Sequence, residues 1–468
     1  MYPIRCRGVG HGGDDLVISG EKMRLADIFG SSMVLQRDRE IKIFGTGDGE
    51  GEIEFRGERV SFSSENGRFI ATLPPFSAGG PFEMRVTLNG EATVLTDILV
   101  GDVYLAGGQS NMQFRVEEST DIFPEDCEGV RYFTEPHDGN AYNEDRPFYN
   151  NLGWRHCTRE NAAKFSAIGY GVAAELYKKT GIPVGIIDCC LGSSRVDAWT
   201  APEIVNTPEY HSLMPEKHED YYICKTNRDF WLYENKLKNV APFVLNGVLW
   251  YQGESNRGEK EAHSYGKQLK IMIEDWRSVF SDPALAFYIV QLAPFYELPD
   301  RQPADWAAIR AGQEWVSKNV PDTYMVTLQH TGEGKLIHPT RKHGLCIALS
   351  NAVLYSKFGI DVEYSGPIAE SFEEIENGLR ITFSHADGLY IKGEYLEDTF
   401  IRSRIGDHGD VLFPEIDGDV MTLRYRGAPF DGIRITMGYD NYCHHNLYNS
   451  SGYLASPFCY MLKDNKQE

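Results

Sequence analysis

The chain of 468 residues contains no apolar run near the ~18 residues of a membrane-spanning helix, so no membrane span is expected. It is also short of positive charge. Lys and Arg number 46 against 68 Asp and Glu, a formal net charge of −22. That argues against nucleic acid or an anionic lipid surface as a main partner, because both recruit clustered cations. An anionic small substrate stays compatible, since a few local arginines suffice to hold one. The nine cysteines are scattered and odd in number, with no C-x-x-C and no Cys/His spacing of a zinc site. They read as buried or free thiols in a reducing compartment. Neither metal nor cofactor is expected. The N-terminus has no apolar h-region. The sequence as written therefore reads as cytoplasmic, although a secreted or periplasmic protein trimmed of its leader would read the same. No Gly-x-Ser-x-Gly occurs, which leaves the nucleophile elbow of α/β-hydrolases unsupported. Internal repeats and low-complexity segments are missing as well.

What is present is an ordinary globular composition, 42% apolar and 24% charged. The length implies two or three domains. After a Gly-rich lead-in over residues 1–22, residues 23–98 read as short alternating strands: Ile41 to Phe44, Glu52 to Phe55, Phe69 to Leu73 and Phe82 to Leu88. Period-2 patterning at this spacing predicts an N-terminal β-sandwich. From residue 99 to 358 the grain changes. Continuous apolar runs (Val103 to Ala106, Val184 to Ile187, Val244 to Tyr251, Ala286 to Leu292) alternate with helical segments over Ala162 to Thr180, His263 to Ser278 and Arg341 to Phe358. That is the pattern of an α/β domain with a buried parallel sheet. From 359 to 468 alternation returns, as in Gly378 to Phe383 and Gly432 to Met437, and predicts a C-terminal β-rich domain without a long helix.

Four blocks carry chemistry. Val103 to Ala106 runs into Gly107-Gly108-Gln109-Ser110-Asn111-Met112, a serine at the end of a buried strand, where α/β enzymes place reactive groups. A structural turn whose serine caps a helix is the plainer reading of that block alone. Asp188 to Arg195 leads a strand into Gly192, whose N–H is a candidate oxyanion donor. Gln252-Gly253-Glu254-Ser255-Asn256 clusters amides at another strand end. Ile337-His338-Pro339 places a histidine before a helix, the position of a general base. Each block alone also fits an ordinary turn. Together, in chain order, they supply a nucleophile, oxyanion donors and a base. Gly8-Val9-Gly10-His11-Gly12-Gly13 fits G-x-G-x-x-G but follows no strand, so it is set aside. Cys443-His444-His445 lacks partner spacing for a metal.

These blocks resemble the sialate O-acetylesterase family of carbohydrate esterases. The likeness extends to Met33 to Asp38, Ala78 to Phe82, Asp197 to Thr200, Asp275-Trp276-Arg277, Val290 to Pro294 and Asn446 to Phe458. It implies a flavodoxin-like SGNH hydrolase core, flanked by the two β regions, that removes acetyl groups from sugar hydroxyls. By position, Ser110 is the nucleophile and His338 the base. The N–H groups of Ser110 and Gly192 form the oxyanion hole with a side chain of the amide turn, Gln252 first and Asn256 second, while Glu254 braces the turn. Enzymes of this superfamily often carry Asp three residues before the histidine; here that residue is Lys335. His338 is then oriented by Glu333, by a residue distant in sequence, or by a backbone carbonyl in a Ser-His dyad, the option favoured here. The expected substrate is an O-acetylated sugar, sialic acid first. Arg115, Arg195, Arg257 and Arg310 are the candidate cations for its carboxylate, each with a structural ion pair as the plainer use. Trp199 and Tyr251 are candidates to stack on a sugar ring, with core packing as the commoner role. An acetylxylan or other polysaccharide deacetylase, and a non-catalytic carbohydrate-binding protein, are the competing readings. Oligomeric state is not legible.

Overall fold

The structure is a computed structural model and describes residues 24–124, 126–134, 153–214, 230–296, 305–327, 331–403, 406–408, 413–424 and 434–462. The lead-in, with its glycine motif, lies outside the described residues. The chain forms two compact units. The first comprises Met1–His211, Glu216–Gln252 and Ile271–Phe287; the second comprises Ser212–Pro215, Gly253–Lys270 and Tyr288–Glu468.

The first unit opens with β1 (Arg24–Leu25), β2 (Val34–Gln36), β3 (Ile41–Thr46), β4 (Glu50–Phe55), β5 (Glu58–Ser63), β6 (Arg68–Leu73), β7 (Gly79–Leu88) and β8 (Glu91–Gly108). β1, β3 and β6 form one antiparallel sheet. β5, β4, β7 and the first half of β8 are antiparallel neighbours in another. Alternation is visible in β6, where Phe69, Ala71 and Leu73 are buried and Ile70 and Thr72 exposed.

β8 changes character along its length. Its first residues alternate, whereas every residue from Ile98 to Gly108 is buried. The second half is the centre of a parallel sheet, with β11 (Val184–Cys190) on one side and β12 (Gly247–Tyr251) on the other. β9 (Cys127–Thr134) lies parallel beyond β11, and β10 (Gly153–Cys157) closes that edge antiparallel. The architecture is therefore mixed α/β: a large mixed sheet with further β-rich sheets. Strands covered on both faces read as unbroken apolar runs, which is why β8, β11 and β12 were predictable.

The helices of this unit include α1 (Ser110–Gln113), α2 (Arg159–Ala162), α3 (Ala167–Thr180), α4 (Pro202–Val205), α5 (Pro208–His211) and α6 (Lys238–Val240). The helix expected over Ala162 to Thr180 is broken. Ser166 caps α3 by accepting from Gly169 N–H while its hydroxyl donates to Met112 O. One serine thus starts a helix and anchors α1, and the helical spacing could not show the interruption. α3 stops at Gly181, which is left-handed at φ 68°. Trp199, Trp250 and Trp276 form an edge-to-face trio with ring centroids 5.6–6.4 Å apart. Trp199 and Tyr251 are buried, so both pack the core.

In the second unit α7 (Glu259–Val279) begins and β13 (Ala286–Val290) ends. α8 (Trp306–Asn319), β14 (Thr323–Val326) and α9 (His343–Phe358) follow. The remaining strands are β15 (Ile368–Ile375), β16 (Gly378–Ser384), β17 (Tyr390–Ile391), β18 (Thr399–Ser403), β19 (Gly406–His408), β20 (Phe413–Asp417), β21 (Val420–Arg424), β22 (Arg434–Met437), β23 (Leu447–Tyr448) and β24 (Phe458–Met461). They form antiparallel sheets ordered β15-β16-β21-β20 and β19-β18-β22-β24, plus the pair β17-β23. Leu379, Ile381, Met421, Ile435, Met437 and Phe458 fill their core. Gly432 and Ile433, expected to open β22, lie outside the described residues. Among the described residues no helix is long and apolar enough to cross a membrane.

Candidate active site

β8 delivers the first block. Gly108 has φ +130°, and a Cβ there would meet Tyr251 O of β12 at 2.1 Å. Only glycine lets β8 and β12 stay paired to their last residues while the chain turns. Gln109 N–H donates to the same Tyr251 O at 3.0 Å, and Met112 and Gln113 N–H donate back to Gln109 O to close α1. Gln109, Asn111 and Met112 are buried, whereas Ser110 keeps part of its surface exposed.

β11 ends beside it, Cys190 in register with Gly108. The turn that follows folds back on β8: Leu191 N–H and Ser194 Oγ–H both donate to Gly108 O, at 3.0 and 3.2 Å. Trp199 Nε1–H fixes Ser194 Oγ in turn, at 3.0 Å. This brings Gly192 against the serine. A Cβ on Gly192 would lie 3.5 Å from Ser110 Cβ and 3.2 Å from Gln113 Oε1. The Gly192 N–H donates to that Gln113 oxygen at 2.9 Å. A backbone donor therefore stands next to Ser110, and a neutral amide oxygen from the same short helix rests on it. Nothing in residue spacing marks Gln113, because only the fold of the 191–195 turn gives it this partner.

Gln252 is fully buried at the end of β12. Its amide donates to Gln109 Oε1 at 3.2 Å and to Ser194 O at 3.1 Å. It ties the residue before Ser110 to the turn that carries Gly192. In the second unit, Glu254 and Asn256 form one buried turn, with Asn256 N–H donating to Gly253 O at 2.9 Å. His338 lies on the segment between β14 and α9, partly exposed. Glu333 Oε1 accepts from the Thr340 N–H and hydroxyl at 3.1 and 2.8 Å and lies 3.7 Å from Arg341 Nε. That carboxylate fastens the chain two residues beyond His338. Lys335 is exposed.

The four arginines part company. Arg115 pairs with Glu117 at 3.3 Å, and buried Arg195 pairs with fully buried Asp197 at 3.1 Å. Arg257 is the residue that ends the Glu254–Asn256 turn, and its carbonyl accepts from Asp305 N–H. Arg310 is buried in α8 and donates through Nη2 to Asp440 O. Behind the turns, burial lifts the Asp275 carboxyl to about 6 although Ala201 N–H donates to it at 2.8 Å. Burial, with Asp188 close by, also pushes the Cys190 thiol far up, which leaves it inert as a nucleophile.

A partly exposed serine at the end of a parallel strand, with a backbone N–H beside it on the next strand's turn, is the layout of an acyl-transferring hydrolase. The model of the family described as carbohydrate esterase, sialic acid-specific acetylesterase, matches residues 100–343. The chain belongs to that family and is a carboxylic-ester hydrolase. It is similar to the sialate O-acetylesterase of Homo sapiens, 24% identical over 413 residues that cover 76% of this chain and 75% of that one. It is likewise similar to that of Rattus norvegicus, 22% identical over 468 residues, 83% of this chain and 84% of that one. A solved carbohydrate acetylesterase from Xanthomonas citri superposes with a TM-score of 0.82 at 27% identity, covering 94% of this chain and 99% of its own.

Proposed function

We propose that the chain removes O-acetyl groups from sugars, sialic acid first, through an acetyl-enzyme on Ser110. The fold reading that accompanies this is an SGNH core over 99–358, an N-terminal β-sandwich over 23–98 and a C-terminal β-rich domain over 359–468. The observation that supports the mechanism is Gly192 packed against the serine, a Cβ built on it lying 3.5 Å from Ser110 Cβ. Ser110 attacks the acetyl carbonyl while His338 takes its proton. The tetrahedral oxyanion is received by the N–H groups of Ser110 and Gly192. The sugar alcohol leaves with the proton from His338, and water hydrolyses the acetyl-enzyme.

The hydrogen bonds support two revised assignments. Gln252 spends its amide on Gln109 and Ser194, so its role is to hold the two turns in place, and Asn256 becomes the amide of choice for the oxyanion. Glu333 is committed to Thr340, so it shapes the turn of His338, which favours a Ser-His dyad over a Glu333 triad. Glu254 keeps its bracing role.

A second reading, a neutral polysaccharide ester, gains from Arg115 and Arg195 being paired with Glu117 and Asp197. Under the first reading Arg257 and Arg310 stay candidate cations for the sialate carboxylate. Acetate release on O-acetylated sialic acid and on acetylated xylan decides between the two. Release from sialic acid alone, with a KM raised by Arg257→Ala or Arg310→Ala, supports the first reading; release from xylan alone overturns it. Binding of glycans with no acetate release would point to a carbohydrate-binding protein and sink both.

A further inference from the structure

In the first unit, β9 and β10 bring two cysteines together. The register runs Gly153 to His156 against Thr134 to Arg131, then shifts, and Cys157 falls opposite Cys127. Glu128, Gly129 and Val130 are passed over on β9, a bulge that Arg131 closes by donating through Nη1 to Glu128 O. Bulges re-aim side chains, and this one sets two cysteines face to face. Residues opposite each other in an antiparallel pair have Cα atoms about 4.5–5.5 Å apart and side chains on one face of the sheet. A disulfide spans Cα separations of about 4.4–6.8 Å. Both residues are thiols in the structure, Cys127 partly exposed and Cys157 buried.

The surroundings give the pair a setting of its own. Arg131 is buried, its cation acts on both sulfurs, and its Nε has no hydrogen-bond partner among the described residues. Burial outweighs that cation and holds the Cys127 thiol up at about 11, with Cys157 raised as well, so little thiolate is present near neutral pH and exchange is slow. The two cysteines also lie on the segments that flank α1. The chain leaving α1 and the chain entering α3 are laced together: Val116 N–H donates to Phe165 O, Glu117 N–H to Ala163 O, and Ala167 N–H to Phe114 O. Farther along, Arg159 N–H donates to Asp126 Oδ1 at 3.0 Å, one residue from Cys127 and two from Cys157. A covalent link at the cysteines would fasten these two segments at the end where β9 begins and β10 stops.

We propose that Cys127 and Cys157 are a redox-modification site, whose disulfide clasps β9 to β10. The oxidant is a small-molecule disulfide such as oxidised glutathione. Cys127 Sγ, the more accessible sulfur, loses its proton and attacks one glutathione sulfur; the glutathione S–S bond breaks and one glutathione leaves with the electron pair. Cys157 Sγ then loses its proton, bonds to Cys127 Sγ and displaces the second glutathione. The protein gives up two electrons and two protons, and two glutathione thiols form. The clasp is independent of the acetylesterase reading. The test is a peptide map by mass spectrometry of the full chain, held overnight with oxidised glutathione at mildly alkaline pH and then alkylated. The peptides of Cys127 and Cys157 should be joined. The melting temperature should stand about 5 °C above that of the protein treated with dithiothreitol, the effect of closing a loop of roughly 30 residues. Cys127→Ser, at a partly exposed position, should remove both the joined peptide and the shift. Both thiols recovered alkylated, a lasting mixed disulfide of Cys127 with glutathione, or a link from either residue to another cysteine overturns the proposal. A joined protein whose melting temperature does not move overturns the clasp.

Discussion

At the scale of the residue, Ser110 and His338 carry the proposed chemistry, and Gln113 and Asp275 bear on it from beside and behind. Ser110→Ala and His338→Ala should each lower kcat on an aryl acetate by about a thousandfold or more, with thermal unfolding unchanged. A variant within tenfold of the parent would remove its residue from the mechanism. Gln113 gives a sharper test. Its Oε1 rests on the Gly192 N–H, and under the proposed mechanism, in which that N–H receives the oxyanion, it would have to turn aside in every cycle. Gln113→Ala should raise kcat/KM on aryl acetates by about threefold to tenfold, the worth of one neutral hydrogen bond. Gln113→Glu should lower it near neutral pH, because a carboxylate holds that N–H more tightly. A fall in kcat/KM for the alanine variant would mean that Gln113 supports the turn and does not compete with substrate. Asp275 links the site's scaffold to pH. Its carboxyl is raised to about 6 by burial, above the unfolded value, so its stabilisation is full below about pH 4 and is lost as pH rises through about 6. Asp275→Asn keeps an acceptor for Ala201 N–H and removes the charge. It should raise the melting temperature at pH 8 more than at pH 4, and an equal shift at both would contradict the assignment.

At the scale of the element, the site is made by strand ends. β8, β11 and β12 stop together, and the turns beyond them are joined by Gly108, Gln252 and Ser194. Gln252→Leu should cost about 2–3 kcal/mol, because it leaves Gln109 Oε1 and the Ser194 carbonyl short of a donor. Denaturant unfolding measures this, and a loss under 0.5 kcal/mol on the order-of-magnitude scale of a surface change would refute the bracing role. Much of this was legible in the sequence, for a physical reason. A strand covered on both faces must be apolar throughout, so Val103 to Ala106 and Val184 to Ile187 announced themselves, and the glycines after them marked the turns. What stayed hidden was set partly by contacts across long sequence separations: the break at Ser166 depends on Met112, and the partner of Gln113 depends on how the 191–195 turn lies. The commitments of Arg195 to Asp197 and of Glu333 to Thr340 are local, but they depend on side-chain directions that residue types alone do not fix. The grain change near residue 98 was visible, but not that one strand, β8, runs through it from an antiparallel neighbour to parallel ones.

At the scale of the whole molecule, charge and family bear on the partner. A net charge of −22 disfavours polyanions, and the family match places the chemistry in ester hydrolysis on carbohydrates. Acetate released from a panel of O-acetylated sugars by the full chain and by Ser110→Ala is decisive. The parent should release acetate catalytically from at least one acetylated sugar, and release by the serine variant should be reduced about a thousandfold. Equal release by both proteins, or none by either from a folded parent, would contradict the proposed function.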